Sequence, residues 1–391
     1  MIRTVNNILL AISDTGGGHR SAATAIVAAL NNCEHVQCTL SDLLKATGFP
    51  VLRKAPEIYD YCSRKQLWLN NFFFEKTNSI KRMNLLTKFV YQQAAPQFEC
   101  EISQINPDLL LAVHPLVIGL LVASRKATRA SWPIFTVVTD LATLHASWAT
   151  PGADLYLVPT EEAFNALVRH GIAASQIILT GFPVHPKFSC SSAPRPKIRK
   201  ELGIDPERFS VLLTGGGVGA GNMPAWIREF MKNCPDKQMM VVTGRNQTLN
   251  DQLQALKSQF EYLHVYGFID NMETLMAASD VIISKAGPGT IMEAVAMRRP
   301  LIITEAVGIQ ETGNIDFVVN NRLGYFCPDP RQGCRIINNL AADGDFVFST
   351  DKIPLNNGSA RIATMIFQQL HASSVQKTNR EVHDTSLFRG A

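Results

Sequence analysis

Residues 13–22 read SDTGGGHRSA and follow directly on the apolar stretch ILLAI at 8–12. A glycine-rich turn that enters a helix brings backbone N–H groups and the positive end of the helix dipole against a ligand, and both favour negative charge. No Gly-Lys-Ser/Thr follows, so this is not a Walker phosphate loop, and the spacing is not the GxGxxG of dinucleotide folds. The distinguishing residue is His19, directly after the third glycine. An imidazole at that place can take a proton from a substrate hydroxyl, or it can do no more than cap the helix.

Four further stretches carry reactive or ligand-binding side chains. AVHPLVIG puts His114 and Pro115 at a strand end. VVTDLATLHASWATPGAD puts Asp140 at another, with His145 and Trp148 beyond it; Asp140 alone is also compatible with an ordinary helix N-cap. SKAGPGTIMEAVA places Gly287, Gly289 and Thr290 at a strand-to-helix turn with Glu293 one turn inside. A carboxylate there can accept two hydrogen bonds from vicinal hydroxyls, as a ribose offers. EAVGIQETGNIDFVV gathers Gln310, Glu311 and Asn314 at a helix start, a donor and acceptor set suited to a sugar. A second glycine turn, Gly215, Gly216 and Gly217, follows the apolar FSVLLT. No acidic cluster of the DxD kind stands ready to hold a metal, so no metal site is expected.

The elements that must position these residues alternate. Apolar runs suited to strands buried on both faces (ILLAI, DLLLAVH, IFTVVTD, DLYLVPT) alternate with helical patterns, which predicts parallel sheets covered on both sides. Residues 186–208, rich in Pro, Ser and charge, read as a connection, after which the alternation restarts. Two α/β halves each open with a strand and a glycine turn. Ligands of such sheets bind at the carboxyl ends of the strands, so both turns are expected to face one cleft.

The chain has 391 residues, 46% of them hydrophobic and 18% charged, which suits two or three globular domains and excludes a disordered chain. Its net charge of +4 is too small to argue for nucleic-acid binding. The first apolar run, of five residues, is too short for a signal peptide, and no run reaches the length of a spanning helix. The eight cysteines show no short paired spacing and are expected to be free thiols. The exception to the alternation is residues 49–95, with eight Lys/Arg against three Asp/Glu and with Trp68, Phe72, Phe73, Phe74, Phe89 and Tyr91 interleaved. Such a segment suits an anionic membrane surface; the alternative is an excursion whose aromatics pack on its own domain.

The chain resembles the monogalactosyldiacylglycerol synthases and their bacterial diacylglycerol glucosyltransferase relatives. More distantly it resembles the lipid II-forming N-acetylglucosaminyltransferase. The resemblance runs from SDTGGGHRSA through VHPL, TDLATLHASW, GFPVHPKF, GGGVGAG, VTGRN and GFIDNMETLMAASDVIISKAGPGTIMEA to QETGN. It implies an α/β GT-B fold of two Rossmann-like domains: residues 1–185 for acceptor binding and membrane docking, 186–208 as linker, 209–360 for UDP-sugar binding, and 361–391 as a C-terminal helix and tail. It implies an inverting, metal-independent transfer of a hexose, galactose foremost, from a UDP-sugar to diacylglycerol, with no cofactor, at the cytoplasmic surface of a membrane that 49–95 would meet. The rival readings are a UDP-glucose or UDP-GlcNAc transferase acting on diacylglycerol or a polyprenyl lipid, and a non-catalytic nucleotide-sugar or lipid-binding protein. Carried over by motif, His19 and Asp140 are catalytic candidates. Gly17, Gly18, His114, Pro115, His145 and Trp148 belong to the acceptor side. Gly215–Gly217, Phe268 (uracil, through its backbone), Gly287, Gly289, Thr290, Glu293 (ribose), Gln310, Glu311 and Asn314 belong to the donor. His185 stands where relatives carry an arginine near the phosphates, and Arg245 is the alternative cation.

Overall fold

The structure, a computed structural model, describes residues 5–14, 17–31, 33, 35–54, 57–58, 66–188, 193–217, 219, 222–257, 259–343 and 358–371. Thr15, Gly16, Arg64 and Lys65, which belong to stretches singled out above, lie outside the described residues.

Two six-stranded sheets, every ladder parallel, form the two halves. The first holds β1 (Asn6–Ile12), β2 (Val36–Asp42), β3 (Leu109–Ala112), β4 (Ile134–Val137), β5 (Leu155–Val158) and β6 (Ile177–Leu179), in the order β2-β1-β3-β4-β5-β6. The second holds β7 (Ser210–Thr214), β8 (Gln238–Val242), β9 (Leu263–Tyr266), β10 (Val281–Ser284), β11 (Leu301–Ile303) and β12 (Gly324–Phe326), in the order β12-β11-β10-β7-β8-β9. The strand interiors are apolar on both faces because helices cover both: β1 sends Leu9 and Ala11 into one core and Ile8, Leu10 and Ile12 into the other.

These orders fix where ligands can bind. In the first sheet the chain reverses its direction of travel at β1 and β3; in the second it does so at β7 and β10. Each is a topological switch point, where connections leave to opposite sides and open a crevice beyond the carboxyl ends. The residues after β1 and β3 are the first glycine turn and His114. Those after β7 and β10 are the second glycine turn and Lys285–Gly287.

The helices used below are α1 (Gly18–Leu30), α2 (Leu67–Thr77), α3 (Ile80–Ile105), α4 (Pro115–Thr128), α5 (Arg195–Glu201), α6 (Pro288–Ala296) and α7 (Thr312–Asn320). Helix α1 forms because HRSAATAIVAAL is alanine-rich and buries Ala22, Ala23, Ala25, Ile26 and Leu30 on one side. The basic segment is helical over α2 and α3. Met83, Val90, Ala94, Phe98 and Ile102 recur on the buried side of α3, whereas Leu85, Leu86 and Phe89 face outward beside Lys81, Arg82 and Lys88. Within 186–208 lies α5, whose Ile198 packs into the second half's core and whose buried Arg199 pairs with Asp280 at 2.6 Å.

The chain crosses between halves twice. Thr180 still bonds the first sheet, through Val158 O, while Phe182 lies in the core of the second half. The helix over 358–371 then returns, packing Ile362, Ala363, Ile366 and Leu370 against Ile8, Leu10 and Ile26. The two crossings touch: Ser359 Oγ donates to Val184 O at 2.8 Å. A Cβ on Gly358 would meet Phe182 O at 2.4 Å.

Candidate functional site

Two helices reach the cleft with open N-termini. Gly17 caps α1 in the left-handed region (φ 81°), and Gly287 caps α6 ahead of Pro288; neither end receives a side-chain cap. The first-turn N–H groups of a helix have no acceptor within it, which is what makes such an end suited to an anion. Arg245 lies between the two glycine turns. Its Nη2 is 3.9 Å from the position of a Cβ on Gly17 and 3.7 Å from that on Gly217. Its backbone N–H donates to Gly217 O at 3.1 Å. Gly244 (φ 59°) allows this approach, because a Cβ there would strike Gly216 O and Gly217 O at 2.7 Å.

Lys285 is the second cation. It pairs with the buried Glu311 through Oε1, while Glu311 Oε2 accepts the Val307 N–H at 2.8 Å. A Cβ on Gly287 would lie 3.2 Å from Lys285 Nζ, and one on Gly216 3.5 Å from its Cε. Lys285 follows β10 directly in SKAGPG; its place at a strand end was the available signal, and the sequence reading passed it over.

On the other wall, His19 Nδ1 meets Thr139 Oγ1 at 3.0 Å. Its ring packs edge-on against His114 (centroids 4.6 Å apart) and lies 6.1 Å from Trp148. Burial pushes its pKa down to about 4, partly opposed by a hydrogen bond with the Val113 backbone. The imidazole is therefore neutral at pH 7 and able to accept a proton, but weakly basic. A negative charge placed beside it would raise that basicity. His114 is also held neutral by burial, and its Nδ1 accepts the Leu116 N–H, capping α4.

Asp140 is not a helix cap. It accepts the Trp148 indole N–H at 2.6 Å, and burial raises its pKa to about 7 against that bond. Trp148, expected on the acceptor side, is fully buried, with its ring beside His19 and its indole N–H on Asp140. His145 is occupied on both nitrogens: Nδ1 with Ser147, Nε2 with Thr77 Oγ1 at 3.1 Å. With Phe74 stacked edge-on at 4.8 Å, it fastens the 145–149 loop to α2.

The donor candidates divide. Glu293 reaches across the cleft to Ser21 Oγ at 3.5 Å, and burial raises its pKa to about 7, with Lys187 opposing. Asn314 is buried; its Nδ2 donates to Ala286 O at 2.8 Å, and its Oδ1 has no partner among the described residues. Gln310 Nε2 makes a long 3.3 Å bond to Val307 O. Phe268 leaves 62% of its surface exposed at the rim. Gly289 has open space where a Cβ would stand. His185 Nδ1 accepts the Lys187 N–H, and Lys187 pairs with Glu273 at 2.9 Å. Thr139, Lys187 and Lys285 thus join the residues named from sequence.

Among the described residues, no helix is long and apolar enough to cross a membrane. Similar folds have been solved in a UDP-GlcNAc 2-epimerase from Neisseria meningitidis bound to UDP-GlcNAc (TM-score 0.59, 14% identity, 93% of this chain, 100% of that one). Anabaena HepE in complex with UDP and glucose is another (TM-score 0.56, 15% identity, 95% and 99%). At those identities the likeness is one of fold, the two-sheet GT-B arrangement. In sequence, residues 19–184 match the family model for monogalactosyldiacylglycerol (MGDG) synthase, and 210–305 match that of the glycosyltransferase family 28 C-terminal domain. The probable monogalactosyldiacylglycerol synthase 2, chloroplastic, of Oryza sativa subsp. japonica is 34% identical over 84% of this chain and 72% of its own length. Monogalactosyldiacylglycerol synthase 2, chloroplastic, of Arabidopsis thaliana is 32% identical over 91% and 77%. The first match opens at His19 and the turn with its glutamate falls inside the second, and the chain belongs to the monogalactosyldiacylglycerol synthase family.

Proposed function

We propose that this protein transfers a hexose, galactose foremost, from a UDP-sugar to 1,2-diacylglycerol with inversion. The observation that carries the reading is the opposition across the cleft: neutral His19 on one wall, and Arg245 with Lys285 beside glycine amides and an open helix end on the other. The acceptor hydroxyl oxygen attacks the anomeric carbon and passes its proton to the His19 imidazole. The bond from that carbon to the diphosphate oxygen breaks, and its electron pair leaves with UDP. Developing charge on the diphosphate is met by Arg245, Lys285 and the backbone N–H groups of the turns. Arg245 supplies the positive charge that an arginine at position 185 supplies in relatives. Glu293 holds the ribose, Gln310 and Glu311 the hexose. Asp140, held by Trp148, lines the acceptor wall.

The lipid is met through α2 and α3. Trp68, Phe72 and Phe73 on α2, and Leu85, Leu86 and Phe89 on α3, stand exposed among Lys76, Lys81, Arg82 and Lys88. Apolar side chains ringed by cations complement an anionic bilayer. The deciding assay offers UDP-galactose or UDP-glucose with diacylglycerol in anionic vesicles and resolves the lipid products by chromatography. A galactolipid is the expected product. A glucolipid replaces the hexose in this reading, and no lipid product from either donor overturns it.

A further inference from the structure

Helix α2 is amphipathic in an unusual sense. Its exposed side carries Trp68, Phe72 and Phe73, while the side turned to the protein carries Asn70, Asn71, Phe74 and Thr77, at the spacing of one helical face. The polar pair reaches the other half of the molecule. Asn71 Oδ1 accepts the Ile309 N–H at 3.1 Å, across 238 residues of chain, in the loop that carries Gln310 and Glu311. Asn70 lies beside it, over Gly308. A Cβ on Gly308 (φ 89°) would lie 2.9 Å from Asn70 Nδ2 and 2.6 Å from Gln310 Oε1, so the two side-chain amides flank one spot. Asn70 Nδ2 is buried and has no hydrogen-bond partner among the described residues.

A buried amide N–H without a partner is uncommon and costs stability. Asn71 pins the helix to the loop, so Asn70 cannot withdraw to solvent. Gln310, over the same glycine, donates to Val307 O at 3.3 Å, so Asn70 stands at the loop to which the hexose is assigned.

We infer that Asn70 is a ligand of the donor hexose, supplied by the acceptor half of the molecule: its side-chain N–H donates to a hexose hydroxyl at the 307–311 loop. This rests on the assignment of Gln310 and Glu311 to the hexose. The same helix then carries the bilayer-facing aromatics on one side and a sugar contact on the other.

The test uses the full chain with diacylglycerol in anionic vesicles and measures two constants, KM for UDP-galactose and the inhibition constant of UDP. UDP lacks the hexose, so a lost hexose contact moves only the first, whereas a general disturbance of the site moves both. Asn70→Ala is expected to raise KM about three- to tenfold, the size of one neutral hydrogen bond, with UDP inhibition unchanged. Asn70→Asp, similar in size but without the N–H donor, gives the same reading should the alanine variant fold poorly. A ratio of the two constants within twofold of the parent in both variants overturns the inference. Gln310→Ala, measured alongside, separates the failures. If it raises the ratio while the Asn70 variants do not, the hexose site stands and only Asn70 is excluded; if it too leaves the ratio unchanged, the assignment of the hexose to this loop falls as well.

Discussion

The two glycine-rich turns occupy equivalent places, each after a strand at the switch point of a parallel sheet, and they present opposite chemistry. The first delivers a histidine whose neighbours are Thr139, His114 and Trp148, a set with no full charge, and burial keeps the imidazole unprotonated. The second lies against a full charge, Lys285, in addition to Arg245, which stands between the turns and whose backbone N–H is bonded to Gly217. The backbone device is the same in both: glycine brings main-chain N–H groups close to a ligand. In the proposed reaction, the side chains around it decide whether the turn moves a proton or holds an anion.

The sharpest way to break this division is His19→Ala. It is expected to lower kcat by about 10²–10⁴, the usual worth of a general base, while UDP inhibition stays as in the parent. A loss below tenfold passes the role to Asp140. Arg245→Ala is the mirror experiment. Loss of hydrogen bonds to a charged group, about 1.5–3 kcal/mol, should weaken UDP and UDP-hexose alike by roughly 10–100-fold; an effect confined to kcat would erase the contrast between the turns. Removing charge far from either turn should spare both: Lys81→Ser with Arg82→Ser is expected to cut binding to anionic vesicles by about 2 kcal/mol, roughly 30-fold, at low salt. Turnover of detergent-dispersed diacylglycerol should persist. Undiminished vesicle binding would make α2 and α3 a packed excursion.

Glu293 sharpens the donor side by pH. Its pKa is raised by burial to about 7, above the unfolded value of roughly 4.3, so the folded state favours the protonated form. Its contribution to stability is full below the unfolded value and is lost as pH rises through about 7. Glu293→Gln should therefore raise Tm at pH 8 relative to the parent and make no difference near pH 4. The same change should raise KM for UDP-hexose up to tenfold with kcat retained, since ribose contacts bind ground and transition states alike. A fall in kcat with KM unchanged would refute the ribose role. The smallest expected effect is none: a chelator should leave the parent at full rate.

Much of this was legible from sequence because it is local. The runs around Ile8–Ile12, Leu109–Ala112 and Val281–Ser284 are apolar on both faces, and the turns that follow them carry the reactive residues. What escaped is what tertiary contact alone creates. The bond from the Trp148 indole N–H to Asp140, which ties two of the named residues together, has no sign in the sequence. Lys187 gains meaning only beside Glu273 and Glu293. Asn70 and Asn71, in a segment whose composition speaks of a membrane, gain theirs from the 307–311 loop.

The double crossing of the chain has a mechanical consequence. Because residues 181–184 and 358–359 run side by side and are bonded through Ser359 and Val184, the halves are joined by a two-stranded spine. A spine of that kind bends more readily than it swivels, so a hinge motion at it, like that of a book, would keep the turns facing each other. Gly358 sits within it with no room for a methyl group. A wedge placed there would change the angle between the covers without touching a word on either page.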